Sequence, residues 1–227
     1  MCKQFLDIVN PHTHPDSVQQ LEIPQAKYID VVVPPSEAQL KFLSDAYKRA
    51  EDIQNRKVDP NEDNWLWLTT DFNKCALSAR LIGEPEEAIN SKLHECSWNI
   101  WQIWLASKST KRTQLVFCDY STPKSDKYNV YQYIKLLLVE LGIPESQIAF
   151  IHDYDAAARP KLYKLIEQGK IRILFGSTSK LGTGCNVHKR GIEFIHLIDA
   201  PWRPADVEQR CGRAIRRGNG QLLPNKK

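Results

Sequence analysis

The sequence is poor in the residue patterns that announce a metal site, a disulfide scaffold or a membrane anchor. Its six cysteines (Cys2, Cys75, Cys96, Cys118, Cys185 and Cys211) are scattered, and no two form a C-x-x-C pair. That spacing speaks against a zinc site and a disulfide framework, and it fits a reducing cytoplasm. His12 and His14 have no partner ligands at zinc-like spacing, so no metal is expected. No signal peptide is visible, and no apolar run reaches the roughly 18 residues that a membrane span needs. There is no G-x-x-x-x-G-K-[ST] phosphate loop, and Gly169-Lys170 stands at a helix end without a glycine partner. There is no D-E-x-H or D-E-A-D carboxylate pair to hold magnesium. Internal repeats and low-complexity tracts are lacking too. The net charge of +4 is too mild to imply nucleic acid by itself.

What the sequence does carry, from Lys111 onward, is an alternation of short apolar runs and helical stretches. Thr113 to Cys118 reads as a strand ending in Asp119, and Tyr128 to Leu141 as a helix closed by Gly142. Ile148 to His152 and Ile171 to Phe175 read as strands around a helix over about Ala156 to Gln168, capped by Asp155. Strands separated by helices of this length predict an α/β fold, a parallel sheet with helices on both faces. Ligands then belong at the carboxyl ends of the strands, where the Asp119 loop and the glycine loop Ser177 to Asn186 stand.

The preceding region is mainly helical. Residues 1–26 read as an irregular lead-in. Lys27 to Val33 reads as a strand stopped by Pro34-Pro35. Ser36 and Gln39 form a capping box for a helix to about Lys57. After a polar break at Asp59 to Asn64, helices are expected over Trp65 to Ile82 and from Pro85 to about Ser107. Trp98, Trp101 and Trp104 recur every three residues among aliphatics, which is a packing pattern before it is a base-stacking platform.

The richest stretch is the last, Ile198 to Asn219. An apolar run, Phe194, Ile195, Leu197 and Ile198, ends in Asp199, and Pro201 and Pro204 bracket a turn. Pro204 suits a first helical turn, and Ala205 to Arg216 reads as a helix. On that helix Gln209, Arg213 and Arg216 share one face, and arginine forks onto phosphate. Arg210, Arg213, Arg216, Arg217, Lys226 and Lys227 make the end of the chain locally basic.

These residues resemble a known family. Gln209, Gly212, Arg213 and Arg216 form Q-x-x-G-R-x-x-R, which resembles motif VI of superfamily-two helicases. Trp202-Arg203-Pro204 is similar to the W-N-P of Swi/Snf-type translocases, and Gly218-Asn219 falls where those proteins have Gly-Gln. The loop S-T-x-x-x-G-x-G-x-N from Ser177 resembles motif V, and L-V-F-C-D-Y-S-T-P from Leu115 resembles motif IV. The resemblance implies a RecA-like lobe over residues 111–227, with residues 1–110 as a strand and helices packing on it. It implies ATP and magnesium as cofactors, held mainly by a first RecA-like lobe absent from this sequence, and nucleic acid as partner, DNA ahead of RNA, with the choice between the two left open. Arg213 and Arg216 would be fingers on the γ-phosphate. Gln209, Gly182, Gly184 and Asn186 would line the nucleotide side. Ser177, Thr178, Lys180, Tyr120, Ser121 and Thr122 would meet the nucleic-acid backbone.

Within this match, T-Q-L-V-F-C-D-Y-S-T-P-K and D-A-P-W-R-P-A-D-V-E-Q-R look closest to the large helicase–methylase proteins of phages, plasmids and other mobile elements. Lacking the phosphate loop and the magnesium carboxylates, the chain reads as the second lobe of a larger ATP-dependent DNA helicase or translocase, inactive alone. Two other readings stay open: a non-catalytic nucleic-acid-binding module, and an α/β enzyme whose arginine helix binds a phosphorylated metabolite.

Overall fold

The computed structural model describes residues 26–123, 127–181, 191–216 and 219. The helical region opens with α1 (Glu37–Gln54) and α2 (Trp65–Leu77). The capping box forms as expected: Ser36 Oγ accepts the Gln39 amide at 3.3 Å, and Gln39 Oε1 accepts the Ser36 amide at 2.9 Å. Gln39 Nε2 then donates to the Cys75 carbonyl at 2.7 Å, tying α1 to the end of α2. Asn64 caps α2 through the Trp67 amide.

Three local expectations are corrected here. Lys27 to Val33 joins no strand among the described residues, and Tyr28, Ile29, Val31 and Val32 stand exposed. The helix from Trp65 breaks at Ser78, whose backbone is extended (φ −161°, ψ 129°), and continues as a 3₁₀ turn, Ala79–Ile82. Ser78 is buried there because its hydroxyl hydrogen-bonds Glu87 and Tyr128, contacts that no periodicity encodes. The next helix, α3 (Lys92–Ala106), begins at Lys92 rather than Pro85. Trp101 and Trp104 lean on the core, while Trp98 is half exposed at 44%.

The α/β half follows the predicted alternation: β1 (Thr113–Phe117), α4 (Val130–Glu140), β2 (Ile148–Phe150), α5 (Arg159–Glu167) and β3 (Ile173–Gly176). A single helical turn, α6 (Thr178–Leu181), precedes β4 (Ile192–Leu197) and α7 (Pro204–Cys211). The sheet is parallel with the order β2-β3-β1-β4, so β1 is flanked by β3 and β4. Successive residues of a strand face opposite sides. Val116 therefore joins Leu93, Ile100, Tyr131 and Phe175 in one core layer, and Leu115 and Phe117 join Leu162, Ile166 and Leu174 in the other. The first layer also takes in Leu77, so the helical region and the sheet share a core. A polar pair, buried Gln114 and half-buried His196 (2.9 Å), links β1 to β4.

At the end of β3 the chain has no room for a side chain. A Cβ on Gly176 would lie 2.6 Å from Ile151 Cγ2 and 2.7 Å from Leu181 Cδ1. Gly176→Ala is therefore expected to cost about 1–3 kcal/mol, as overpacked cores do. Thermal or urea unfolding measures it, and an unchanged stability would mean that the β3–α6 junction is looser than drawn.

Candidate nucleotide and nucleic-acid interface

The carboxyl ends of β1, β3 and β4 converge on one arginine. Asp119 follows β1, Thr178 follows β3, Asp199 follows β4, and Arg210 lies on α7 with 0% of its surface exposed. Arg210 Nη2 donates to Asp119 Oδ2 at 2.7 Å, and Nη1 donates to Asp199 Oδ1 and to the Asp199 carbonyl at 3.0 Å each. Its Nε donates to Thr178 Oγ1 at 2.7 Å. Its guanidinium carbon lies 5.6 Å from the centre of the Phe117 ring.

The carboxylates extend this pairing into the backbone. Asp119 Oδ1 accepts the Thr178 amide at 2.6 Å and Oδ2 the Thr178 hydroxyl at 2.7 Å. Asp199 Oδ2 accepts the amides of Asp119 and Tyr120, so it shapes the loop after β1. An arginine that supplies donors in a planar fork can serve several acceptors at once, which a lysine cannot. Lys92, at the start of α3, adds a cation near Asp199; burial lowers its affinity for a proton, and the Asp199 charge opposes that.

Around this hub the predicted site residues fall into place unevenly. Ser121 is buried, and its Oγ accepts the Val130 amide at 2.9 Å, so its hydroxyl closes the start of α4. Tyr120 Oη accepts from Asn73 Nδ2 at 2.9 Å, joining the loop to α2. Thr122 is half-buried on the same loop. Ser177 Oγ sits 3.0 Å from Ser179 Oγ and 3.5 Å from His152 Nε2, and it accepts the Lys180 amide at 3.3 Å. Burial, with the Lys180 charge beside it, holds the His152 ring below the ordinary histidine value. Lys180 is exposed beside it. Gly182, Gly184 and Asn186 lie outside the described residues, as do Arg217 and the two early histidines.

Arg213 and Arg216 do not share a helix with Gln209. The helix α7 ends at Cys211, with Gly212 as its cap, and the chain closes into tighter turns, Arg213 N to Arg210 O at 3.2 Å and Ala214 N to Cys211 O at 3.0 Å. Gln209 is on α7, while Arg213 and Arg216 are on the turn that follows. Arg216 Nε donates to the Gly212 carbonyl at 3.2 Å, which braces that turn. Asn219 fastens it to the sheet: its Oδ1 accepts the Ile192 amide at 2.7 Å, and its Nδ2 donates to the carbonyls of Ile192 and Ala214 at 3.0 and 3.1 Å. Asn219 stands where the resemblance has Gln; as a two-sided amide it replaces a strand partner for the first residue of β4.

Sequence reasoning missed Arg210 and the pairing of Asp119 with Asp199. The available signal was an acidic residue at the end of each of two apolar runs, together with an arginine next to Gln209.

The chain belongs to the helicase conserved C-terminal domain family: residues 96–218, more than half of the chain, match the family's profile. Among solved structures, the C-terminal part of the Fun30 ATPase domain superposes with a TM-score of 0.53 at 15% identity, covering 82% of this chain and 82% of that one. The two share the RecA-like fold. The Hef helicase domain of Pyrococcus furiosus gives a TM-score of 0.38 at 14% identity, over 77% of this chain and 33% of that one, a likeness too loose to build on. No curated protein matches significantly. Among the described residues, no helix is long and apolar enough to cross a membrane.

Removing the arginine would leave the buried Asp199 carboxylate without its closest cation, beside the partly exposed Asp119. Arg210→Met is expected to lower unfolding free energy by about 3–5 kcal/mol, the usual cost of breaking a buried ion pair from one side. Arg203→Ala, at an exposed position just before α7, should change it by less than about 0.5 kcal/mol. Urea titration of both variants measures the contrast; equal effects would mean that Arg210 is not the anchor.

Proposed function

We propose that the chain is the second motor lobe of an ATP-dependent DNA helicase or translocase. In this reading residues 111–227 form the lobe and residues 1–110 the mainly helical region that packs on it. The observation that carries it is the convergence at the carboxyl ends of β1, β3 and β4. There one buried arginine holds the loop after β1, the segment at Thr178 and the helix that leads to Arg213 and Arg216. Ligands of open parallel sheets bind at that end.

In this reading Arg213 and Arg216 are the fingers that stabilise charge on the transferring phosphoryl group, and Gln209 with Gly182, Gly184 and Asn186 lines the nucleotide side. Ser177, Thr178, Lys180, Tyr120 and Thr122 meet phosphates of the nucleic acid, and Ser121 holds that loop to α4. The Thr178 amide and hydroxyl are both engaged by Asp119, so its contribution is to place its neighbours or to exchange partners when a strand arrives. Arginines fit ATP phosphates. For magnesium, no group of three or more acidic, histidine or cysteine side chains is gathered among the described residues, and Asp119 and Asp199 are committed to Arg210. In this reading magnesium would be held with ATP mainly by the first lobe, where it would neutralise charge on the phosphates. The runs quoted above for the helicase–methylase proteins of mobile elements support the narrower reading that this lobe comes from such a protein.

A finger acts on charge that appears in the transition state, so its loss shows in turnover more than in ATP affinity. In a protein that joins this chain to its first lobe, Arg213→Ala or Arg216→Ala should lower kcat by about a thousandfold or more. Arg216→Lys should not restore it, and Arg217→Ala should turn over normally. Steady-state ATPase with saturating DNA reads all four. Parent-like turnover in Arg213→Ala and Arg216→Ala, or DNA-stimulated ATP hydrolysis by this chain alone, would overturn the proposal.

A further inference from the structure

Beside the loop after β1 lies a cleft of about 630 Å³. Its walls include Arg80 from the 3₁₀ turn, Lys127, Tyr128 and Gln132 from the approach to α4 and its first turn, and Asp153 after β2. Pro123, at the end of the loop that carries Tyr120 and Thr122, and Asn129, which caps α4, line the same cleft. It therefore continues from the loop already placed toward nucleic acid.

The cleft is organised around Arg80. Its guanidinium carbon sits 4.0 Å from the centre of the Tyr128 ring and 6.0 Å from that of Tyr133. Both rings are anchored by their hydroxyls. Tyr128 Oη donates to Glu87 at 3.2 Å and lies 3.2 Å from Ser78 Oγ; Tyr133 Oη lies 3.3 Å from His94 Nε2, whose Nδ1 is 3.0 Å from Ser91 Oγ. Glu87 also accepts from the Ser78 hydroxyl, so its carboxylate is engaged by two donors. A guanidinium held 4.0 Å over the centre of an anchored ring is pre-positioned for an anion and loses little freedom on binding one. Arg80 and Lys127 outweigh Asp153 by one positive charge.

We propose that this cleft is a phosphodiester subsite, one step further along the nucleic-acid strand than the strand-end loops, with Arg80 and Lys127 as its cations. The proposal rests on the reading of the chain as a nucleic-acid motor lobe, and it adds the helical region to the track. Contacts of this kind position the strand and read no sequence.

The test is fluorescence anisotropy of the whole chain with fluorescein-labelled, mixed-sequence DNA, single-stranded and duplex, over a range of salt. Arg80→Gln is expected to weaken binding about fivefold to tenfold at about 0.1 M salt, and to reduce the slope of log affinity against log salt by about 1. The loss should be equal for oligonucleotides of different sequence. Arg80→Lys should restore the slope, because the charge returns. Lys127→Gln, at an exposed position, should reduce the slope similarly and reports even if Arg80→Gln fails to fold. If the parent binds with normal salt dependence and both glutamine variants bind like it, the cleft proposal falls and the motor-lobe reading stands. If the parent shows no salt-dependent binding to DNA, both fall together.

Discussion

The pairing of Arg210 with Asp119 and Asp199 is the constraint on which the rest of the site depends. The sheet brings the carboxyl ends of β3, β1 and β4 side by side, but parallel strands end in loops that nothing in the ladder itself orders. Placing one guanidinium among those ends gives the loops a common anchor. The cost is real, because charges removed from water must be matched closely to avoid a net penalty. It is met here by using each carboxylate twice, once for the arginine and once for backbone or hydroxyl donors. The gain is geometric: the β1 loop, the Thr178 segment and the root of the Arg213–Arg216 turn cannot shift independently. That is the property a lobe needs if phosphate at one loop is to be felt at another.

A second set of ties works from the periphery inward. Asn219 holds the Arg213–Arg216 turn to the first residue of β4, and Tyr120 reaches Asn73 on α2. Ser78, Glu87 and Tyr128 join the break after α2 to the approach to α4. The helical region is therefore built into the same core as the sheet, through Leu77, Leu93 and Ile100, and it touches the loops at the functional end.

Much of this was legible in the sequence. The alternation from Thr113 onward fixes a parallel α/β fold because apolar runs of strand length separated by helices leave few other arrangements, and the fold is as expected. The capping box at Ser36 and Gln39 was legible because its signal is local. The break at Ser78, the end of α7 at Gly212 and the unpaired stretch at Lys27 to Val33 were not. Periodicity runs straight through the first two, and the third has strand-like residues without a neighbouring strand among the described residues. The Arg210 hub escaped for a topological reason. Its partners are 91 and 11 residues away along the chain, and they meet only because β4 lies next to β1. Motif VI points at Arg213 and Arg216 and passes over the arginine between Gln209 and Gly212.

The central claim is that Arg210 holds the three strand-end segments as one unit, and amide hydrogen exchange reads it directly. The amides of Asp119, Tyr120 and Thr178 all donate to the two carboxylates that Arg210 neutralises. In the parent they should exchange slowly and with similar opening free energies. In Arg210→Met all three should lose protection together, while amides inside β2 and α4 keep theirs. If Thr178 alone were to open while Asp119 and Tyr120 stayed protected, the segments would be ordered separately and the account of a single anchor would be contradicted.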